Sequence, residues 1–334
     1  MLLIVGVLAW RCTSGDETTP TATDTNDQPA SQDSPTSTAA TQDPSSPTTL
    51  APATALTVES LTARLSNGRT NAGVGAVGNR IIIVGGSDDK LRATDTALAF
   101  DLDSTKTSSF AKLDATLYDP AVVTTLDSLV VIGGTRLKAA STGVTKFKND
   151  GSVESTANLP SPRTAASAVF ANNVIYLVGG YDGANPSNDV LASSDGGVQW
   201  KKVAALKQPT MFPAVFVQGT TLWVAGGEWQ TKTIKATQQI DLATGEVTLP
   251  TPLTTSRSRA CTVTLHGTNF MLGGRTPNGL SDEILVFNGG SVTSAGKLPI
   301  KVSDHDCVTV GDTGYLLAGS APKPIRDIYL LTPS

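Results

Sequence analysis

From Ala55 onward short apolar runs alternate with polar turns rich in Gly, Asn and Asp, and six of the runs end alike. RIIIVGG reaches Gly85, LVVIGG Gly133, VIYLVGG Gly179, TLWVAGG Gly226, NFMLGG Gly273 and YLLAGS Gly319, at spacings of 48, 46, 47, 47 and 46 residues. A fixed period of this length is the signature of stacked supersecondary units. Within each unit an apolar strand such as TAASAVFA meets a turn such as Asn172-Asn173, then the strand ending in Gly-Gly, a polar loop and two weaker strands. Asn-Asn and Gly-Asn pairs tolerate the positive φ of tight hairpins, so the unit reads as a four-stranded antiparallel meander. The last unit stops one strand short at Leu331, while Ala55–Leu65 supplies an orphan strand before the first. This N-terminal strand is expected to complete the sixth unit, so that the ring closes without an open edge.

The third unit carries the fullest pattern: Pro162-Arg163, Gly179-Gly180 after an aromatic-containing strand, Tyr181, Asp182 and Gly183, Asn188-Asp189-Val190, and Trp200. It resembles the kelch repeat. The resemblance extends over about Ala55 to Thr332, although units two, four and six lack the opening Arg. It implies an all-β, six-bladed kelch-type β-propeller with four-stranded blades, the last closed by the N-terminal strand. Structural roles are expected for Gly85, Gly86, Gly133, Gly134, Gly179, Gly180, Gly226, Gly227, Gly273, Gly274 and Gly319.

The meander also sorts residues by face, because the start of the first strand and the Gly-Gly end of the second fall on the same side. Strand starts bring Arg69, Tyr118, Asp119, Arg163, Phe212, Arg257, Arg259, Asp304 and His305; the Gly-Gly loops bring Asp88, Asp89, Arg136, Tyr181, Asp182, Glu228, Trp229 and Arg275. As a ligand-binding face, Arg69, Arg136, Arg163, Tyr181, Asp182, Glu228, Trp229, Arg257, Arg259, Arg275 and His305 would offer stacking and charge-assisted hydrogen bonds to a protein or carbohydrate. The competing reading gives the opening arginines a structural role, bonding a neighbouring loop.

Ser193–Trp200 (SSDGGVQW) fits the Asp-box pattern, in which Asp195 closes a turn over Trp200; this is read as structural, since one box away from the central face does not argue for a glycosidase. Copper oxidases resembling galactose oxidase need two convergent His, whereas His266 is expected at the opposite end of a strand from His305. No metal and no cofactor are expected. A resemblance to exported sialic-acid mutarotases makes Glu228 the single weak catalytic candidate, with Arg275 or Arg163 holding a sugar carboxylate. Ser87-Asp88-Asp89 leaves calcium open, solvated turns being preferred.

Composition adds location and excludes one partner class. A net charge of −4 and the lack of a basic tract remove the footprint of a nucleic-acid binder. Met1–Trp10 is apolar and too short to span a bilayer as a helix, so residues 1–12 read as a signal-peptide or lipoprotein-like leader. Cys12 resembles a lipoprotein's acylated cysteine but follows Arg11, so lipidation and a simple cleaved leader both stand. Residues 13–53 are a Ser/Thr/Pro-rich linker and 54–334 the propeller. The expectation is an exported monomer, at the cell surface, in the periplasm or secreted, touching membrane only through its leader or lipid. Cys261 and Cys307 sit in the first strands of adjacent units; an interblade disulfide is open, with two buried thiols favoured.

Overall fold

A computed structural model of the chain describes residues 53–334. Six antiparallel sheets follow one another along the chain, five of four strands and that of blade 2 widened to six, and the architecture is a six-bladed β-propeller. Blade 1 begins with Gly73–Val77 and Arg80–Val84, and the first strands of blades 2 to 6 are Ala121–Thr124, Ser167–Ala171, Ala214–Gln218, Cys261–Leu265 and Asp306–Val310. Blade 6 takes its outer strand from the other end of the chain: Leu56–Arg69 pairs antiparallel with Ile325–Pro333, Leu56 opposite Pro333 and Arg69 opposite Ile325. Closure by an N-terminal strand is therefore as the repeat count implied. Because Leu56 sits at the far end of this strand, the chain enters the propeller on the face opposite the Gly-Gly loops.

The core is divided among the six blade interfaces. Residues 81–84 of blade 1 are fully buried and alternate in destination: Ile81 and Ile83 pack on blade 6 with Tyr315 and Leu317, while Ile82 and Val84 pack on blade 2 with Leu129 and Val131. A strand covered on both faces needs apolar residues at both parities, which is why RIIIV is continuous rather than alternating. Blades 4 and 5 meet around Phe216, Trp223 and Phe287, whose ring centroids lie 4.8–5.9 Å apart.

The Gly pairs follow from the closeness of one blade to the next. At Gly133 (φ 63°) a Cβ would stand 2.1 Å from the Arg163 carbonyl oxygen, and at Gly226 2.2 Å from that of Arg257. The second glycine uses the same approach, since Gly134 and Gly227 each donate their N–H to that carbonyl at 2.7 Å. In blade 6 the positive-φ position is filled by Ala318 (φ 59°), so Ala318 rather than Gly319 corresponds to Gly273. The last repeat is thus one residue shorter than counted from the sequence.

That shift settles the cysteines. Adjacent blades present opposite faces to each other, so a bridge between them needs residues of opposite parity. Cys261 lies 12 residues before Gly273 and Cys307 only 11 before Ala318. Their side chains consequently face one another, and they form a disulfide with Cα atoms 5.4 Å apart. The expectation of two thiols is corrected.

Candidate functional site

Two residues before each inner strand the backbone adopts a left-handed conformation: Asn71, Asp119, Ala165, Phe212, Arg259 and Asp304, with φ between 46° and 56°. Asn and Asp tolerate this region best, and they occupy three of the six places. Each of these residues donates its N–H to the carbonyl of its counterpart in the preceding blade, and Asn71 donates to Asp304, so six backbone hydrogen bonds of 2.7–3.3 Å close a ring around the axis. Sequence reading placed Asp119, Phe212, Arg259 and Asp304 on this face but missed Asn71. Its signal was available, because it stands one repeat before Asp119.

Side chains of the ring cross the axial mouth. Arg259 stacks its guanidinium 3.6 Å from the Phe212 ring centroid, bonds Glu228 at 2.7 Å and bonds Asp304. Asn71 donates to Asp119 at 2.9 Å and to Asp304 at 3.2 Å. Burial works against the charge on Arg259, but Glu228 and Asp304 outweigh it and raise its pKa. Burial would raise Asp304; Arg259 and the Ser303 hydroxyl hold it below the ordinary carboxylate range. At Asp119 burial outweighs the hydrogen bond from Asn71 and the attraction of Arg259, and the carboxyl is pushed up to about 6.

Beneath this lattice lies a chamber of about 90 Å³ bordered by Asn71, Asp119, Phe212, Arg259, Asp304 and Asp306. It leads along the inner strands into an axial channel of about 370 Å³. Asp306, at the start of the blade 6 inner strand, borders both, and burial raises its pKa to about 7 against a hydrogen bond from the Val74 N–H.

The opening arginines do not reach the mouth. Arg69, Arg163 and Arg257 are buried, and each binds the first residue of its own blade's third strand: Arg69 to Thr96, Arg163 to Asp189, Arg257 to Glu283. They occur in blades 1, 3 and 5; the equivalent places in blades 2, 4 and 6 hold Leu117, Thr210 and Val302. As ligand residues they are corrected: a guanidinium drawn inward satisfies a strand end instead of a ligand. His305 is likewise 5% exposed, its Nε2 bonding the Leu272 carbonyl at 3.0 Å, and burial lowers its pKa to about 4. His266 stands in the hairpin turn after Leu265, at the other end of its strand.

The remaining face residues sit on hairpins that extend the Gly-Gly loops. Glu228 accepts from Ser258 at 2.8 Å as well as from Arg259, and next to it Trp229 is 38% exposed. Arg136 pairs with Asp114, Arg275 is exposed 3.8 Å from Asp304, and Tyr181 is half-buried. Asp182 accepts the N–H groups of Ala184 and Asn185 at 2.7 Å, and Asp88 closes its loop on Lys90 and Arg92. In the Asp-box, Asp195 accepts from Ser193, Val198 and Gln199, and Trp200 donates to the Gly197 carbonyl at 2.9 Å. Cys12 and residues 1–52 lie outside the described residues.

A six-bladed ring with this Gly-Gly chemistry defines the class as a repeat propeller. The family model of the Kelch motif matches residues 68–107 and 162–192, in blades 1 and 3, both of which have an opening Arg. The chain is thus a six-bladed β-propeller with kelch motifs in blades 1 and 3, and kelch propellers generally mediate protein interactions. No curated protein matches the chain.

Proposed function

We propose that this propeller is an extracytoplasmic interaction module that grips a protein partner on its hairpin face. The observation that carries this reading is the make-up of the hairpin tips. Leu91 is 66% exposed and Leu137 83%, and with Trp229 they place large apolar groups on three of the six blades, around a mouth filled by Arg259 and Phe212. Exposed cations stand beside them: Lys90, Lys138, Lys232, Arg275 and Lys323. Acids on the same hairpins are already engaged, Asp88 by Arg92, Asp89 by Arg326 and Glu228 by Arg259. A chain of net charge −4 thus offers a cationic, apolar-studded face, suited to an acidic protein surface with apolar anchors.

Commitment of Glu228 to Ser258 and Arg259, together with burial of Arg163, argues against a sugar-isomerising pair at the mouth. The extracytoplasmic location is supported by the apolar leader, the Ser/Thr/Pro spacer and the interblade disulfide.

The test is cross-linking on intact cells with a membrane-impermeant reagent, comparing the wild type with Leu91→Ser/Leu137→Ser/Trp229→Ser. We expect a protein adduct that the triple variant loses at least tenfold and that weakens with added salt. An adduct unchanged by the variant, a glycan adduct in its place, or no labelling on intact cells would refute the reading.

A further inference from the structure

The axial channel is unusual in what it offers a guest. Three of the hydroxyls that border it have spent their protons on the protein: Ser167 donates to the Pro213 carbonyl at 2.6 Å, Thr262 to that of Val215 at 2.7 Å, and Thr264 to Asn269 Oδ1 at 2.7 Å, while Thr124 accepts from the Ala76 N–H. Each of these three keeps only acceptor capacity for a guest. At the closed end, Asp119 and Asp306 border the same chamber, and neither forms an ion pair among the described residues. The chamber's one cationic side chain, Arg259, is occupied by Glu228, Asp304 and the Phe212 ring. His305 borders the chamber too, and its Nδ1 is buried without a hydrogen-bond partner. Since Nε2 donates to Leu272, that nitrogen is an acceptor in the neutral ring.

A cavity whose bonded hydroxyls and free His305 nitrogen accept, and whose two carboxyl groups stand outside any ion pair, calls for a guest that donates and carries positive charge. A metal ion fits this description poorly. Among the described residues no three His, Cys, Asp or Glu side chains gather closely enough to share one. An ammonium group suits better, because its three N–H donors reach acceptors that are spread around a chamber. The channel below supplies room for a stem, with Val122, Val169, Val263 and Val308 among the hydroxyls of its wall.

We propose that the axial channel is a binding site for a small primary alkylammonium ion or linear diamine, its ammonium seated between Asp119 and Asp306 and its stem along the inner strands. The site is separate from the hairpin face, and loading it would add contacts between blades 6, 1 and 2 at the ring.

Isothermal titration of the full-length protein with butylammonium and 1,4-diaminobutane at pH 8 tests this, with butan-1-ol and butyrate as shape controls and calcium and zinc as alternative cations. We expect saturable binding of the amines, at least tenfold weaker binding of butan-1-ol, and none of butyrate. The comparison on the wild type alone decides between cation recognition and simple filling of space. Asp306→Asn, and separately Asp119→Asn, should each weaken amine binding at least tenfold while the far-ultraviolet spectrum is kept. The amines should also bind less well at pH 5 than at pH 8, as Asp306 and Asp119 gain protons; Asp304, held low, and Arg259, held high, keep their charges and buried His305 stays neutral over most of that range, with Glu228 and Arg275 the other charged groups at the mouth. Equal binding of butan-1-ol and butylammonium, amine binding unchanged in both variants, or preferential binding of a divalent metal would overturn the proposal.

Discussion

Arg257 is 1% exposed and still charged, and what keeps it in the protein is a chain of acceptors: the Gly273 carbonyl at 2.7 Å, the Glu283 carbonyl and the Glu283 carboxylate. Removing the guanidinium leaves those groups short of a donor, so Arg257→Ala should cost about 2–4 kcal/mol in urea unfolding. Arg257→Leu should cost less, because Leu117 already fills the equivalent place in blade 2 and Glu283 can turn to solvent. Two carboxyls make the opposite argument. Burial raises Asp306 to about 7 and Asp119 to about 6, above the 3.8 of the free side chain, so the folded state holds these protons more tightly than the unfolded one. Their contribution to stability is therefore favourable below about pH 4 and is lost as pH rises through 6 and 7. The denaturation midpoint should fall between pH 5 and pH 8, and Asp306→Asn should flatten that fall; a slope unchanged in the variant would assign it to other groups. None of this was legible in the sequence. Residue type and face were, but depth was not: Arg257 and Arg259 are two residues apart, and only packing sends one inward to a strand end and the other across the axis.

At the scale of the strand and turn, a one-residue difference decided how two cysteines are disposed. Counting from Gly319 gave Cys261 and Cys307 the same phase, which would have pointed them to opposite interfaces. The positive-φ residue is Ala318, and its non-Gly identity hid the true register. The bridge spans 46 residues, so replacing both cysteines by serine should lower stability by about 2–4 kcal/mol. Treatment of the wild type with reductant should reproduce most of that loss, read as the shift of the denaturation midpoint. The Asp-box is a turn of the same rank, in which one carboxylate satisfies the backbone N–H groups of Val198 and Gln199. Here the residue pattern carried the geometry directly, since Asp bonding three and four positions ahead is a local event that needs no tertiary context.

For the whole molecule the repeat made the ring legible, because six equal units with both faces apolar have few ways to bury them other than against each other. Closure was legible from arithmetic, one strand missing at the end and one spare at the start. What it does for the molecule is a matter of edges. Without residues 56–69, strand Ile325–Pro333 would lose its outer partner, the burial that Leu56 and Leu65 contribute would be gone, and Asp89 would lose the Gly68 N–H that helps tie blade 6 to blade 1. Two buried leucines are worth roughly 3–6 kcal/mol, a large share of the stability of about 5–15 kcal/mol expected for a domain. A chain beginning at Thr70 should accordingly unfold at much lower denaturant or associate through its open edge, as seen by sedimentation. A peptide of residues 53–70 added in trans should restore a monomer of wild-type spectrum by pairing in the vacant place. Restoration by a scrambled peptide would show that the edge accepts any strand; failure of both peptides would mean that closure depends on covalent continuity rather than on the pairing between Leu56–Arg69 and Ile325–Pro333.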